Sequence, residues 1–77
     1  MKKIITAKLI EVAKVKAYSN ISLYNNSNNV INILIKTNDL IISKFKLKAK
    51  ESYALPSMSQ TQKILAQSKL KSELIIF

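Results

Sequence analysis

The sequence predicts an all-β domain, and three stretches carry that prediction. In "SKFKLKAKESYALP", residues 43–56, Lys44, Lys46, Lys48 and Lys50 alternate with Phe45, Leu47 and Ala49. This is the period-two pattern of a strand with one face on a core and the other in water. "YSNISLY" and "VINILIKT" alternate in the same way on either side of "YNNSNN", residues 24–29, which is turn chemistry. "TNDL", residues 37–40, marks a further turn with Asn38 and Asp39 at its tip. No linker, repeat or compositional boundary divides the 77 residues. Residues 1–77 therefore read as one domain, with 18–77 as its β core and 1–17 as an N-terminal strand, helix or arm.

Taken in order, the first seventeen residues admit two patterns. Ile5, Ala7, Leu9, Ala13, Val15 and Ala17 alternate as in a strand, with Glu11 the exception. Ile5, Leu9, Val12 and Lys16 also fit a helix, which Ala, Leu, Lys and Glu favour intrinsically. Next, Ile21 and Leu23 oppose Ser22 and Tyr24, and this strand and the one after "YNNSNN" are expected to pair as a β-hairpin with a long loop. In the second strand Ile31, Ile33 and Ile35 face one way and Val30, Asn32 and Leu34 the other. Apolar on both faces apart from Asn32, it reads as a central or covered strand. The lysine-bearing strand is expected over about Leu40 to Lys48, continuing through Tyr53 and Leu55 until Pro56, which has no N–H to give a ladder. "SMSQTQ" is a polar loop. In "KILAQSKLKSELIIF", Ile64, Ala66, Leu70, Leu74 and Ile76 share parity, as in two short strands broken near "SKLKS". A helix from about Thr61 to Glu73, capped by Ser59 with Gln62 three residues on, is the alternative. The expected core is Ile31, Ile33, Ile35, Phe45, Leu47 and Tyr53, and the closing "LIIF" is favoured as a core strand, with docking on a neighbouring chain as the alternative.

Composition narrows the functional classes. A chain of 77 residues buries only about 60% of its unfolded surface, and such domains usually rely on disulfides, a metal or association. With neither cysteine nor histidine, association is the route that remains. Glycine is absent and proline occurs once, so the chain must turn on Asn, Asp and Ser, which tolerate left-handed backbone. All 13 basic residues are lysine; the Lys, Ile and Asn content points to an AT-rich genome. Catalysis is poorly supported. General acid–base work wants a group titrating near neutrality, and Glu11, Asp39, Glu51 and Glu73 are far apart in sequence. Without glycine there is no phosphate-cradling loop. The expectation is a non-enzyme with no cofactor, no metal and no small-molecule substrate. Lys8 and Glu11 break the apolar run that a signal peptide needs, and no stretch approaches the roughly 20 apolar residues of a membrane span, so no membrane association is expected.

Two candidate contact surfaces follow. The first is the tip Asn25, Asn26, Ser27, Asn28 and Asn29; the second is the strip Lys44, Lys46, Lys48 and Lys50, whose charges would stand roughly 6–7 Å apart along a strand. A lysine strip on an outer strand serves solubility and blocks edge-to-edge aggregation. It could also meet an acidic protein, or track nucleic-acid phosphates, although no aromatic residue shares its parity for base stacking. The net charge of +9 supports salt-sensitive attraction to any polyanion.

The segment order of residues 19–77 resembles the small all-β virion proteins of tailed bacteriophages. "SNISLYNNSNNVINILI" is similar to the "I-x-L-x-N-x-S" opening of that family; "LKAKESYALP" resembles its short polar connection and following strand; "QKILAQSKLKSELIIF" resembles its closing pair, a strand of type "I-x-x-x-S" and a last apolar strand. The resemblance implies a small antiparallel β-sandwich or jelly-roll-like barrel. It also implies a structural role in many copies, as a head decoration, connector or tail component. The partners would be copies of itself and other virion proteins, within a virion assembled in the host cytoplasm. The alternative is a basic nucleic-acid-associated protein, such as a ribosomal component from an AT-rich genome.

Overall fold

Alternation does produce strands, and it does so along the whole chain. The structure, a computed structural model, describes residues 1–77 as eight strands: β1 (Lys2–Ile5), β2 (Ile10–Val15), β3 (Ile21–Asn25), β4 (Ile31–Thr37), β5 (Leu40–Leu47), β6 (Ser52–Leu55), β7 (Gln62–Gln67) and β8 (Ser72–Ile76). They form two four-stranded sheets, ordered β1-β8-β3-β6 and β2-β7-β4-β5, with every pairing antiparallel. The chain crosses from one sheet to the other at each connection except β4–β5. That order, with β1, β3, β6 and β8 facing β2, β4, β5 and β7, is the eight-stranded jelly roll, two Greek keys wrapped around one core.

The interior alternates as the sequence requires. Ile31, Ile33 and Ile35 from β4 meet Leu47, Val12, Val15, Ile64 and Ala66 of their own sheet and Ile5, Leu23, Leu55, Leu74 and Ile76 of the other. β4 lies between β7 and β5, the central position its two-sided apolarity predicts. Phe45 and Tyr53, expected in the core, are half-buried and packed against it. Their rings, 4.5 Å apart between centroids and tilted by 40°, close the open side of the sandwich where β5 and β6 face each other. The pair adds about 0.5–1.5 kcal/mol beyond its burial.

Two local readings are corrected, and two that left alternatives are decided. β3 and β4 are not a hairpin: β3 pairs with β6 and β8, β4 with β5 and β7. The 26–30 loop instead arches across the core, so both strands turn their alternate residues into the same interior from opposite sides. The stretch from Leu40 to Leu55 is likewise two strands in different sheets. It breaks after Leu47, where Lys50 adopts φ 60° and the Glu51 carboxylate accepts from the Lys48 N–H at 2.9 Å. Residues 1–17 contain no helix and no arm. They supply the facing edge strands β1 and β2, and a Cα radius of gyration of 11.5 Å equals the roughly 11.5 Å of a compact body of this length. A β-bulge in β2 explains the mixed signal: Glu11 pairs with Leu65 and Ala13 with Ile64, leaving Val12 as the extra residue. Finally, residues 62–76 are the two strands expected, β7 and β8, broken over residues 68–71, and the alternative helix is absent.

Without glycine, the turns use four other residues at positive φ: Tyr18, Asn38, Asp39 and Lys50. Asn38 and Asp39, at 51° and 64°, make the two-residue turn between Thr37 and Leu40 that suits a twisted hairpin. Tyr18 and Lys50 pay the left-handed penalty of about 1–2 kcal/mol each.

One strain in the core is directly testable. The Thr37 hydroxyl is buried with no hydrogen-bond partner, a situation costing about 1–3 kcal/mol. Thr37→Val keeps the shape and the β-branching, so it is expected to raise stability by about 1 kcal/mol. The thermal midpoint should then rise by about 4–8 °C; an unchanged or lower midpoint would mean that the hydroxyl is satisfied in solution.

Candidate functional site

The crossing pattern sorts the loops. The connections 6–9, 26–30, 48–51 and 68–71 gather at one end of the sandwich, and the connections 16–20, 38–39 and 56–61 gather at the other with both termini. The first end is polar and cross-linked. Asn25, expected at an exposed tip, is instead fully buried at the end of β3 and is thereby removed from the contact candidates. Its side-chain amide donates to the Asn29 carbonyl at 2.6 Å and to the Leu47 carbonyl at 2.9 Å, while its oxygen accepts from the Ser27 hydroxyl at 2.6 Å. One side chain thus fixes both the arch 26–30 and the end of β5.

The neighbouring residues extend this network. Asn26 donates to the Glu73 carboxylate at 2.8 Å and accepts from the Lys50 ammonium at 3.2 Å. Asn29 donates to the Lys71 carbonyl and to the Ser72 hydroxyl, each at 3.3 Å. The buried Ser68 and Ser72 hydroxyls lie 3.0 Å apart, with Ser68 donating to the Val30 carbonyl at 2.9 Å. Of the expected tip only Asn28 is exposed, Asn26, Ser27 and Asn29 being half-buried. "YNNSNN" is therefore mainly a polar plug that closes one end of the core, since buried amides and hydroxyls must be paired to be tolerated.

The lysine strip is split in the same way. Lys44 and Lys46 stand exposed on the outer face of β5, whereas Lys48 follows the strand and Lys50 lies in the left-handed turn. Four lysines in one ladder are therefore not what the chain builds. The outer face of the β2-β7-β4-β5 sheet carries a different basic array that the one-dimensional pattern hides. Lys14 pairs with Lys63 across β2 and β7, and Lys63 pairs with Lys36 across β7 and β4, so three lysines stand in one row on adjacent strands. With Lys44 and Lys46 they make five lysines on this face, against Glu11 as the only acid on its strands. The outer face of the other sheet has Lys2 and Glu73 among Ile4, Ser22, Tyr24, Ser52, Ala54 and Ile75. Of the two outer faces, this one carries the excess of positive charge.

The row Lys14–Lys63–Lys36 lines a depression of about 260 Å³ with Asn38, Asp39 and Thr61, none of them apolar. Asp39 lies 4.0 Å from Lys63, but its side chain is 91% exposed, and such a pair contributes about 0–1 kcal/mol. Towards the polar end, two grooves of about 360 and 530 Å³ share Asn32 and Lys46.

A third feature lies on the edge of the same sheet. Leu40, Ile41 and Ile42 open β5 and are 70%, 57% and 44% exposed. β5 pairs only with β4, and the register shift opposite Ile35 and Lys36 leaves Ile42 without a partner residue. Single exposed apolar residues are ordinary; three in succession on a free edge are not.

These features define a minimal jelly roll with one basic face, one polar end and one apolar edge. The chain matches no protein-family model, no curated protein and no solved structure.

Proposed function

We propose that the chain is a non-enzymatic structural protein of a phage-like particle, working in many copies as a head decoration, connector or tail component. The observation that carries this reading is the apolar triplet Leu40–Ile41–Ile42 on the free edge of β5. In a domain whose single core is small, further apolar burial must come from a second copy, and closed symmetric assembly provides it. The bulge at Ile42 and the lysines that follow, Lys44 and Lys46, guard the rest of the edge against open-ended strand addition. Contacts are thereby confined to side-chain packing at one end. The jelly-roll order agrees with this role, being shared by viral capsid domains, lectins and cupins. The fold alone selects none of these.

Sedimentation velocity tests the reading. The chain is expected to sediment as a multimer, and the uncharged double variant Leu40→Ser, Ile42→Ser to self-associate at least about tenfold more weakly, because burying one Leu or Ile side chain at about 1.5 kcal/mol already corresponds to that factor. Unchanged circular dichroism would assign the loss to the contact. A folded monomer for the parent chain, or an unaltered multimer in the variant, would refute the role given to this edge.

A further inference from the structure

The row Lys14–Lys63–Lys36 calls for a physical explanation, because like charges directly opposite on neighbouring strands destabilise a sheet. Both pairings in this row are of that kind, and the strands stand about 4.8 Å apart. Nothing in the fold requires the arrangement. Outward positions in β4 and β7 accept uncharged residues elsewhere, as Asn32, Leu34, Leu65 and Gln67 show on the same face. The one acid nearby, Asp39, is exposed at 4.0 Å from Lys63 and leaves the row two charges in excess. The depression it lines has only polar walls and is large enough for several water-sized groups, as an oxyanion needs.

We infer that this face binds the phosphate backbone of nucleic acid, with Lys14, Lys36 and Lys63 cradling one phosphate region and Lys44 and Lys46 continuing the contact along β5. The chemistry is that of ammonium groups displacing counterions from phosphates. No strand of the face presents an aromatic side chain outward: Tyr24 is on the opposite outer face, Phe45 and Tyr53 stack on each other against the core, and Tyr18 and Phe77 lie outside the strands. Base stacking, the usual device of single-strand binders, is therefore missing. Duplex DNA, read through its backbone without regard to sequence, is the ligand that the face fits. This goes beyond the assembly role; the row adjoins the apolar edge, since Ile41 pairs with Lys36, but the two readings are tested on different residues, so either can fail without the other.

The test is fluorescence anisotropy of a labelled DNA duplex with the full chain. If the five lysines of the face each neutralise a phosphate, the log–log salt slope is about −4.5, and affinity falls about 500-fold between about 50 and about 200 mM salt. The variant Lys14→Gln, Lys36→Gln, Lys63→Gln should flatten the slope by about 2.7. The control Lys2→Gln, Lys8→Gln, Lys71→Gln carries the same net charge, 9 − 3 = +6, with its substitutions off this face, and should change the slope by less than about 1. The face variant loses the repulsion within the row and only the exposed Lys63–Asp39 pair, worth about 0–1 kcal/mol, so its melting temperature should stay close to the parent's. Equal flattening by the two variants would show diffuse attraction and overturn the site. So would a parent slope shallower than about −1, or tighter binding of a labelled poly-glutamate peptide than of the duplex, which would assign the face to an acidic protein.

Discussion

Asn25→Ala is expected to destabilise the chain by about 2–4 kcal/mol, because it deletes the donor to two carbonyls and the acceptor of a hydroxyl in one step, and each buried group left unpaired costs about 1–3 kcal/mol. The Leu47 carbonyl is the most exposed to this loss, since its bond to Asn25 is fully buried. The Asn29 carbonyl and the Ser27 hydroxyl lie nearer the surface and can recover water. Asn25 also binds the 48–51 turn through its backbone, its N–H donating to the Glu51 carbonyl at 3.0 Å and its carbonyl accepting from the Lys50 N–H at 2.9 Å. The substitution keeps these main-chain bonds, so the loss falls on the 26–30 arch and on the end of β5 at Leu47. Against the roughly 4–12 kcal/mol that a domain of this length possesses, the variant stands at the margin of folding. Urea titration followed by circular dichroism reads the change as a lower midpoint at unaltered slope; a loss below about 1 kcal/mol would show that water replaces the amide.

Asn25 also illustrates what the linear pattern conceals. "YNNSNN" is correctly read as a turn, but the same amide and hydroxyl chemistry closes a hairpin within one sheet or an arch between two. Only the partners of the flanking strands distinguish them. The parity of Ile31, Ile33 and Ile35, the Asn38–Asp39 turn, and the two closing strands were visible because each depends on neighbours in sequence. Elsewhere local signals misled. Val12 is the extra residue of a bulge, so the apolar parity changes within β2 and residues 1–17 resemble two patterns at once. The lysine alternation runs on through Lys48 and Lys50 because lysine occupies the left-handed turn position that glycine usually marks. The row Lys14–Lys63–Lys36 draws on three strands separated by many residues. It exists only once the register of the β2-β7-β4-β5 sheet is known, and no pattern within any one strand announces it.

Register also decides which core residue matters most. Ile33 is fully buried at the middle of β4, where it is paired on one side with Ala66 and on the other with Phe45. Ala66 is small, so little side-chain volume from β7 can move into a space opened at position 33. Phe45 is already engaged with Tyr53 at 4.5 Å, and drawing it inward would open the side where β5 and β6 meet. A cavity at this point therefore has few means of collapse, the condition under which truncation is most costly. Ile33→Ala is expected to destabilise by about 3–5 kcal/mol, near the top of the range for such changes. Ile33→Val, which removes one methyl group, should cost about 1 kcal/mol. Equilibrium denaturation of the two variants tests the geometry as well as the total: a ratio near three or more between them is expected from the cavity term. If Ile33→Ala costs no more than about 1.5 kcal/mol, the two sheets close over the gap, and Ala66 and Phe45 do not hold the cavity open.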